Sequence, residues 1–252
     1  LNDGSALRKR FKLGFDHFID CKEKTSQETA ALIRACEIDV LIDLAGYTQG
    51  SRAEVLAMRP APVQINYLGY PCTMGADWVD YILADEQVIP PGEERHYQEK
   101  VLRLPYCYLP IDDSLKIAER KPTRASALGH DIDPNRLVFA TRVPQVDDHL
   151  ARYQLADVFL DTTPYNAHST ATDVLRAGVP IVTLPGRTFA SRVAASVIHH
   201  VADKHSVIAR DVAHSKEAAM GIATQGKRAA MQVGFPTGKA YASAIETAVL
   251  GL

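Results

Sequence analysis

The feature that most constrains the fold is the stretch 157–185, DVFLDTTPYNAHSTATDVLRAGVPIVTLP. It opens with a short apolar run closed by an acid, the pattern of a buried parallel strand. A loop containing Pro164 and Asn166 follows. His168, Ser169 and Thr170 then open an amphipathic helix that Gly178 stops. Pro180 forbids continuation, and residues 181–184 read as the next strand. Such a strand–helix–strand unit commits the chain to a parallel sheet, with the helix N-terminus at the sheet edge where ligands bind.

That helix start has a definite chemistry. The first four N–H groups of a helix lack internal partners and carry partial positive charge, so an anion fits there. Ser169 and Thr170 add hydroxyl donors and His168 an imidazole N–H, while Asp173 sits one turn on, where a carboxylate can accept from a ribose diol. A phosphate-binding end and a ribose acceptor on one helix point to a nucleoside diphosphate. The competing reading is that Ser169 or Thr170 only caps the helix.

The first part of the chain alternates in the same way. Residues 15–20, 38–44, 63–68, 80–84 and 100–104 read as strands, and residues 27–36 and 52–58 as helices. Glycine-containing loops follow two strands, at 46–50 and 69–75. Their glycines let a backbone approach a ligand, or are ordinary tight turns. Residues 109–135 break every periodicity and read as a hinge. A strand at 137–140, helices at 149–156 and 189–198, and a terminal helix at 240–250 complete the pattern. The reading is α/β with two Rossmann-like lobes, residues 1–125 and 126–252.

Composition narrows the function. Formal net charge is −2, which favours neither nucleic acid nor a membrane surface, and no apolar run is long enough to span a bilayer. The cysteines, Cys21, Cys36, Cys72 and Cys107, lie far apart, the usage of a reduced cytoplasmic protein and not of a zinc site. No initiator Met or secretion signal is present, and the chain reads as a fragment starting in a turn at Asn2, Asp3 and Gly4. The dinucleotide, P-loop, zincin and serine-hydrolase motifs are missing, so the site on the second lobe is the feature left to explain.

Seven segments then carry a resemblance. They are HFID at 17–20, DLAGYT at 43–48, RPAPVQ at 59–64, LGYPCTMG at 68–75, DYILAD at 80–85, NAHST at 166–170 and PGRTFASRVAAS at 185–196. In this order they resemble the catalytic region of the O-linked N-acetylglucosamine transferase family, bacterial homologues included. The resemblance implies a GT-B fold with UDP-N-acetylglucosamine (UDP-GlcNAc) in the cleft. It implies inverting transfer of the sugar to Ser or Thr hydroxyls of proteins without a metal or other cofactor. On it, His168, Ser169 and Thr170 bind the diphosphate and Asp173 the ribose. His149 lies against the uracil, with Val143, Pro144 and Arg152 nearby. Gly69, Tyr70 and Pro71 face the sugar, and His17 matches a histidine proposed as the base. Read alone, His17 is a structural histidine at a strand end; with the resemblance the two readings stand even.

The chain also departs from the family. A segment carrying a phosphate-binding glutamine and lysine is missing between Ala125 and Asp131, and no lysine lies between Lys121 and Lys204. Gln145 stands where the family often has a lysine, and the match weakens after His200. The nucleotide lobe is thus expected to be incomplete. The sequence leaves three readings: a shortened transferase, a non-catalytic nucleotide-sugar or protein-binding module, and another UDP-sugar GT-B enzyme or epimerase. Tetratricopeptide repeats, frequent in the family, are not present in these residues.

Overall fold

A computed structural model describes residues 5–110, 140–201, 205–225 and 236–251. Two helices begin the chain, α1 (Ala6–Leu13) and α2 (Ser26–Ala35). Thr25 starts α2 through a reciprocal cap: its hydroxyl accepts from Glu28 N–H while the Glu28 carboxylate accepts from Thr25 N–H. Then follow β1 (Val40–Asp43), α3 (Ala53–Ala57), β2 (Val63–Asn66), β3 (Tyr81–Ala84) and β4 (Lys100–Arg103). These strands form one parallel sheet in the order β1-β2-β3-β4.

The second part contains α4 (Val146–Tyr153), β5 (Phe159–Leu160), α5 (Ser169–Arg176), β6 (Ile181–Thr183), α6 (Val193–His200), β7 (Val207–Ile208), α7 (Val212–Gln225) and α8 (Gly238–Leu250). Among the described residues its sheet is parallel and three-stranded, β5-β6-β7. Strand, helix and strand at 157–185 are where periodicity put them. The division between residues 125 and 126, the hinge at 111–135 and most of the expected strand at 137–140 lie outside the described residues.

One expected strand is missing. Residues 15–20 belong to no helix or strand, and Phe15, Phe18 and Ile19 stay exposed. Among the described residues no neighbouring strand offers them a ladder. They fold back on α1 instead, with Phe11 edge-on to Phe15 and the Lys12 ammonium 4.8 Å from the Phe18 ring.

The two sheets share one continuous apolar core. Ile65, Leu83 and Ile89 of the first part meet Val174, Ile181 and Val197 of the second in one buried cluster. Tyr108 meets Phe189 edge-on at 4.7 Å across the seam. The Asp85 carboxylate at the end of β3 accepts from Tyr108 N–H and from the Ser196 hydroxyl of α6, both at 2.7 Å. Tyr241 of α8 returns to the first part, its hydroxyl lying 2.7 Å from the Cys107 carbonyl and 2.8 Å from that of Leu109. A smaller cluster of Leu56, Met74, Ala76 and Val79 supports the loop after β2.

Candidate functional site

Asp161, the acid that closes β5, organises the loop ahead of α5. One carboxylate oxygen accepts from Thr162 N–H at 2.8 Å and Ala167 N–H at 2.7 Å; the other accepts from the Thr183 hydroxyl at 2.6 Å. Burial pushes its carboxyl up, and these hydrogen bonds and the nearby His168 pull it back. Asn166, buried, donates to the Thr162 carbonyl and leaves its own Oδ1 without a partner. Sequence reasoning missed Asp161 and Asn166 as organisers; the acid at a strand end was the available signal.

His168 sits at the N-cap of α5 and makes no side-chain cap bond. Its ring stacks on Tyr165 at 4.7 Å, and its Nε2 lies 3.4 Å from the Ala190 carbonyl. A carbonyl only accepts, so Nε2 carries the hydrogen. Burial is the main cause holding His168 below its ordinary value, so the neutral ring is favoured. Ser169 and Thr170 occupy the first helical positions, past the cap, and among the described residues neither hydroxyl makes a hydrogen bond. The capping alternative is therefore not realised: the N-terminus of α5 presents free N–H and O–H donors.

One turn further in, Asp173 is half-buried. Burial pushes its carboxyl up, opposed by Arg176 and then His149. α4 brings His149 toward it. Arg152 lies 2.9 Å from His149 Nδ1, and the Tyr153 hydroxyl 3.2 Å from His149 Nε2. Arg152 also donates to the Thr141 carbonyl at 2.7 Å, which ties down the strand-like residues that lead through Val143 to α4. The structure thus brings His149, Arg152 and Tyr153 together on α4, with His149 near Asp173.

The loop after β2 is the other place where the sequence reading put a ligand. Asn66 donates to the Cys72 carbonyl at 3.1 Å, and buried Glu99 accepts from the Thr73 hydroxyl and Met74 N–H, both at 2.5 Å. Glycines here serve loop-to-loop packing. A Cβ on Gly46 would fall 2.3 Å from Tyr70 Cβ, and one on Gly69 would fall 2.2 Å from the Leu44 carbonyl. Tyr47 and Tyr70 meet edge-on at 5.5 Å. Burial pushes the nearby Tyr97 phenol up to about 12, Cys72 and Glu99 add to this, and Arg192 at the start of α6 opposes it. Arg192 Nε is buried and without a partner, two residues beyond the carbonyl that His168 meets.

His17 is exposed, and among the described residues no hydrogen bond or ring contact joins it to this cluster. A cavity of about 390 Å³ lined by Glu86, Arg103 and His200 shares no residue with the cluster either. Among the described residues no group of three or more His, Cys, Asp or Glu is placed to hold a metal, and no helix is long and apolar enough to cross a membrane.

A chain of two parallel sheets, each flanked by helices, has the build of a pair of Rossmann-like lobes. The chain belongs to glycosyl transferase family 41, whose family model matches residues 1–125 and 116–233. It is 32% identical over 282 residues to the probable UDP-N-acetylglucosamine–peptide N-acetylglucosaminyltransferase SEC of Arabidopsis thaliana, covering 88% of this chain and 29% of the relative. The Caenorhabditis elegans UDP-N-acetylglucosamine–peptide N-acetylglucosaminyltransferase is 29% identical over 163 residues, 64% of this chain and 14% of that protein. This chain therefore spans less than a third of these relatives. A mutant O-GlcNAc transferase of Thermobaculum terrenum superposes with a TM-score of 0.76 at 24% identity, over 98% of this chain and 55% of that one, which establishes the GT-B-like fold. The alignment to SEC is longer than the 252 residues available here, so that relative carries residues between matched positions that this chain lacks.

Proposed function

We propose that this chain is the catalytic part of an inverting glycosyltransferase that moves N-acetylglucosamine from UDP-GlcNAc to Ser or Thr hydroxyls of proteins. The observation that carries the reading is the N-terminus of α5, where Ser169 and Thr170 hold uncommitted hydroxyls beside uncapped N–H groups. N–H and O–H donors suit an anion, so the diphosphate is held, and the leaving UDP stabilised, by oriented dipoles. Asp173 accepts from the ribose and His149 lies against the uracil. Gly69, Tyr70 and Pro71 bound the sugar from the first lobe, the acceptor side. In the transfer the acceptor oxygen attacks the anomeric carbon, the bond to the β-phosphate oxygen breaks, and UDP leaves with the electron pair. The acceptor proton passes to a base, for which His17 is the candidate. Repeats that choose the acceptor lie outside these residues on this reading, and the site of action is the cytoplasm.

A second reading, a module that binds the nucleotide sugar or a protein without transfer, is favoured by the missing lysine between Lys121 and Lys204. Calorimetry with UDP, followed by a transfer assay with UDP-GlcNAc and protein acceptors, tests both. UDP binding that His168→Ala weakens about tenfold or more, and His17→Ala leaves intact, supports the donor site. Equal effects of the two changes sink the division of labour. Transfer separates the enzyme from the module.

A further inference from the structure

His149, Arg152 and Tyr153 stand three and four residues apart on α4, so their side chains share one face. The guanidinium of Arg152 lies 2.9 Å from His149 Nδ1. A guanidinium only donates, so Nδ1 accepts and carries no hydrogen. The imidazole hydrogen is then on Nε2, and its acceptor is the Tyr153 oxygen at 3.2 Å. Burial and the neighbouring Asp173 push the Tyr153 phenol up, so it stays protonated and keeps its own O–H to donate. Tyr153 also sets the ring plane, meeting the imidazole edge-on at 5.2 Å with a 73° interplanar angle. Arg152 is fixed in turn by the Thr141 carbonyl.

We propose that Arg152, His149 and Tyr153 form one directed hydrogen-bond relay that fixes His149 as the neutral Nε2–H tautomer, with Tyr153 the positioning residue that holds the imidazole for the base of a uridine nucleotide. The ligand half rests on the donor-site reading above; the tautomer half does not. Which ring nitrogen carries hydrogen is set by the partner of the other, and here a cationic donor sets it. Arg152 thereby removes exchange of tautomers, and Tyr153 removes rotation of the ring about its Cβ–Cγ bond. A ring held in that way meets a flat base without an ordering cost at binding.

The test combines nitrogen NMR with UDP calorimetry on the whole chain. At about pH 8, above the ordinary imidazole range near 6.5, the His149 signals are assigned by their loss in His149→Gln. The wild type is expected to show a protonated Nε2 and an unprotonated Nδ1. Tyr153→Phe keeps that tautomer, because Arg152 still donates, and binds UDP about five- to tenfold more weakly, the loss of one neutral hydrogen bond. Arg152→Met frees Nδ1 and gives both tautomers. A protonated Nδ1 in the wild type overturns the relay and leaves the donor site standing. The right tautomer with undiminished UDP binding in Tyr153→Phe overturns the positioning role. A wild type that shows the tautomer and binds no UDP overturns the donor reading, and with it the role of Tyr153 toward a nucleotide. Should Tyr153→Phe fail to fold, the wild-type tautomer and Arg152→Met decide.

Discussion

Replacing Asp85 with Asn tests whether the two sheets stand or fall together. Asp85 is fully buried and accepts four hydrogen bonds. Oδ1 takes Gln87 N–H at 2.8 Å and Val88 N–H at 3.1 Å; Oδ2 takes Tyr108 N–H and the Ser196 hydroxyl, each at 2.7 Å. Asn has the same shape but offers one oxygen. Whichever way the amide is turned, its NH₂ faces two donors. Two hydrogen bonds to a carboxylate are lost, each worth about 1.5–3 kcal/mol, and buried donors are orphaned. Relief from burying a charge offsets part of this. A net cost of about 3–4 kcal/mol follows as an order of magnitude. With a urea slope of roughly 3 kcal/mol/M for a chain of this size, the midpoint falls by about 1 M. Ser196→Ala removes one of these bonds to the carboxylate and costs about 1.5–3 kcal/mol. Circular dichroism and tyrosine fluorescence should follow one shifted transition. A variant within about 0.5 kcal/mol of the wild type refutes the hydrogen-bond argument, being the range of ordinary surface changes. Two transitions, only one of them shifted, refute the shared core.

Two further outcomes are expected. Gly46→Ala puts a methyl 2.3 Å from Tyr70 Cβ at a backbone φ of +54°, so the loops must part. The cost should be about 2–4 kcal/mol, read as a lowered melting temperature together with weakened UDP binding; a variant that melts like the wild type removes the packing role of Gly46. His168 is held below its ordinary value, chiefly by burial, so its contribution to stability is full above about pH 6.5 and is lost as pH falls below that. Between about pH 7.5 and 5.5 the wild type should therefore lose more stability than His168→Gln, whereas parallel curves would mean that the ring is not desolvated. Asp161 and Asp173, raised by burial, act with the opposite sign from about pH 3.8 upward and are common to both proteins.

The part of the fold legible in the sequence is the part encoded by short-range pattern. β5, α5 and β6 lie inside one run whose start and stop residues are all local. Four strands of the first sheet were legible for the same reason. Residues 15–20 have strand composition too, but a strand exists only with a neighbour, and local sequence does not supply one. α4 begins three residues earlier than the apolar face suggested, because Asp147 and Asp148 favour a helix N-terminus. β7 is two residues long, too short for any alternation. In the site, His149, Arg152, His168 and Asp173 were legible. Tyr153 was not singled out, since its hydroxyl partner is visible in three dimensions alone. Asp85 looked like any acid at a strand end; its four donors come from two neighbouring residues, one residue 23 positions on and one 111 positions on. The glycines of these two loops were read as letting a backbone approach a ligand; at Gly46 and Gly69 the close approach is that of the neighbouring loop.

Tyr241 ties the order of synthesis to the order of folding. Its hydroxyl meets the carbonyl of Cys107, 134 residues earlier in the chain. At about 5–20 residues per second, the partner leaves the ribosome roughly 7–27 s after the group it must meet. Until then the Cys107 and Leu109 carbonyls lack their donor, and the buried side of that wall is open to solvent and to other chains. The segment that carries Cys107 therefore waits, partly formed, for a helix 134 residues further along the message. Ribosome pausing within that interval, or a chaperone that covers the wall during it, should change the yield of folded protein more than any change in the final stability.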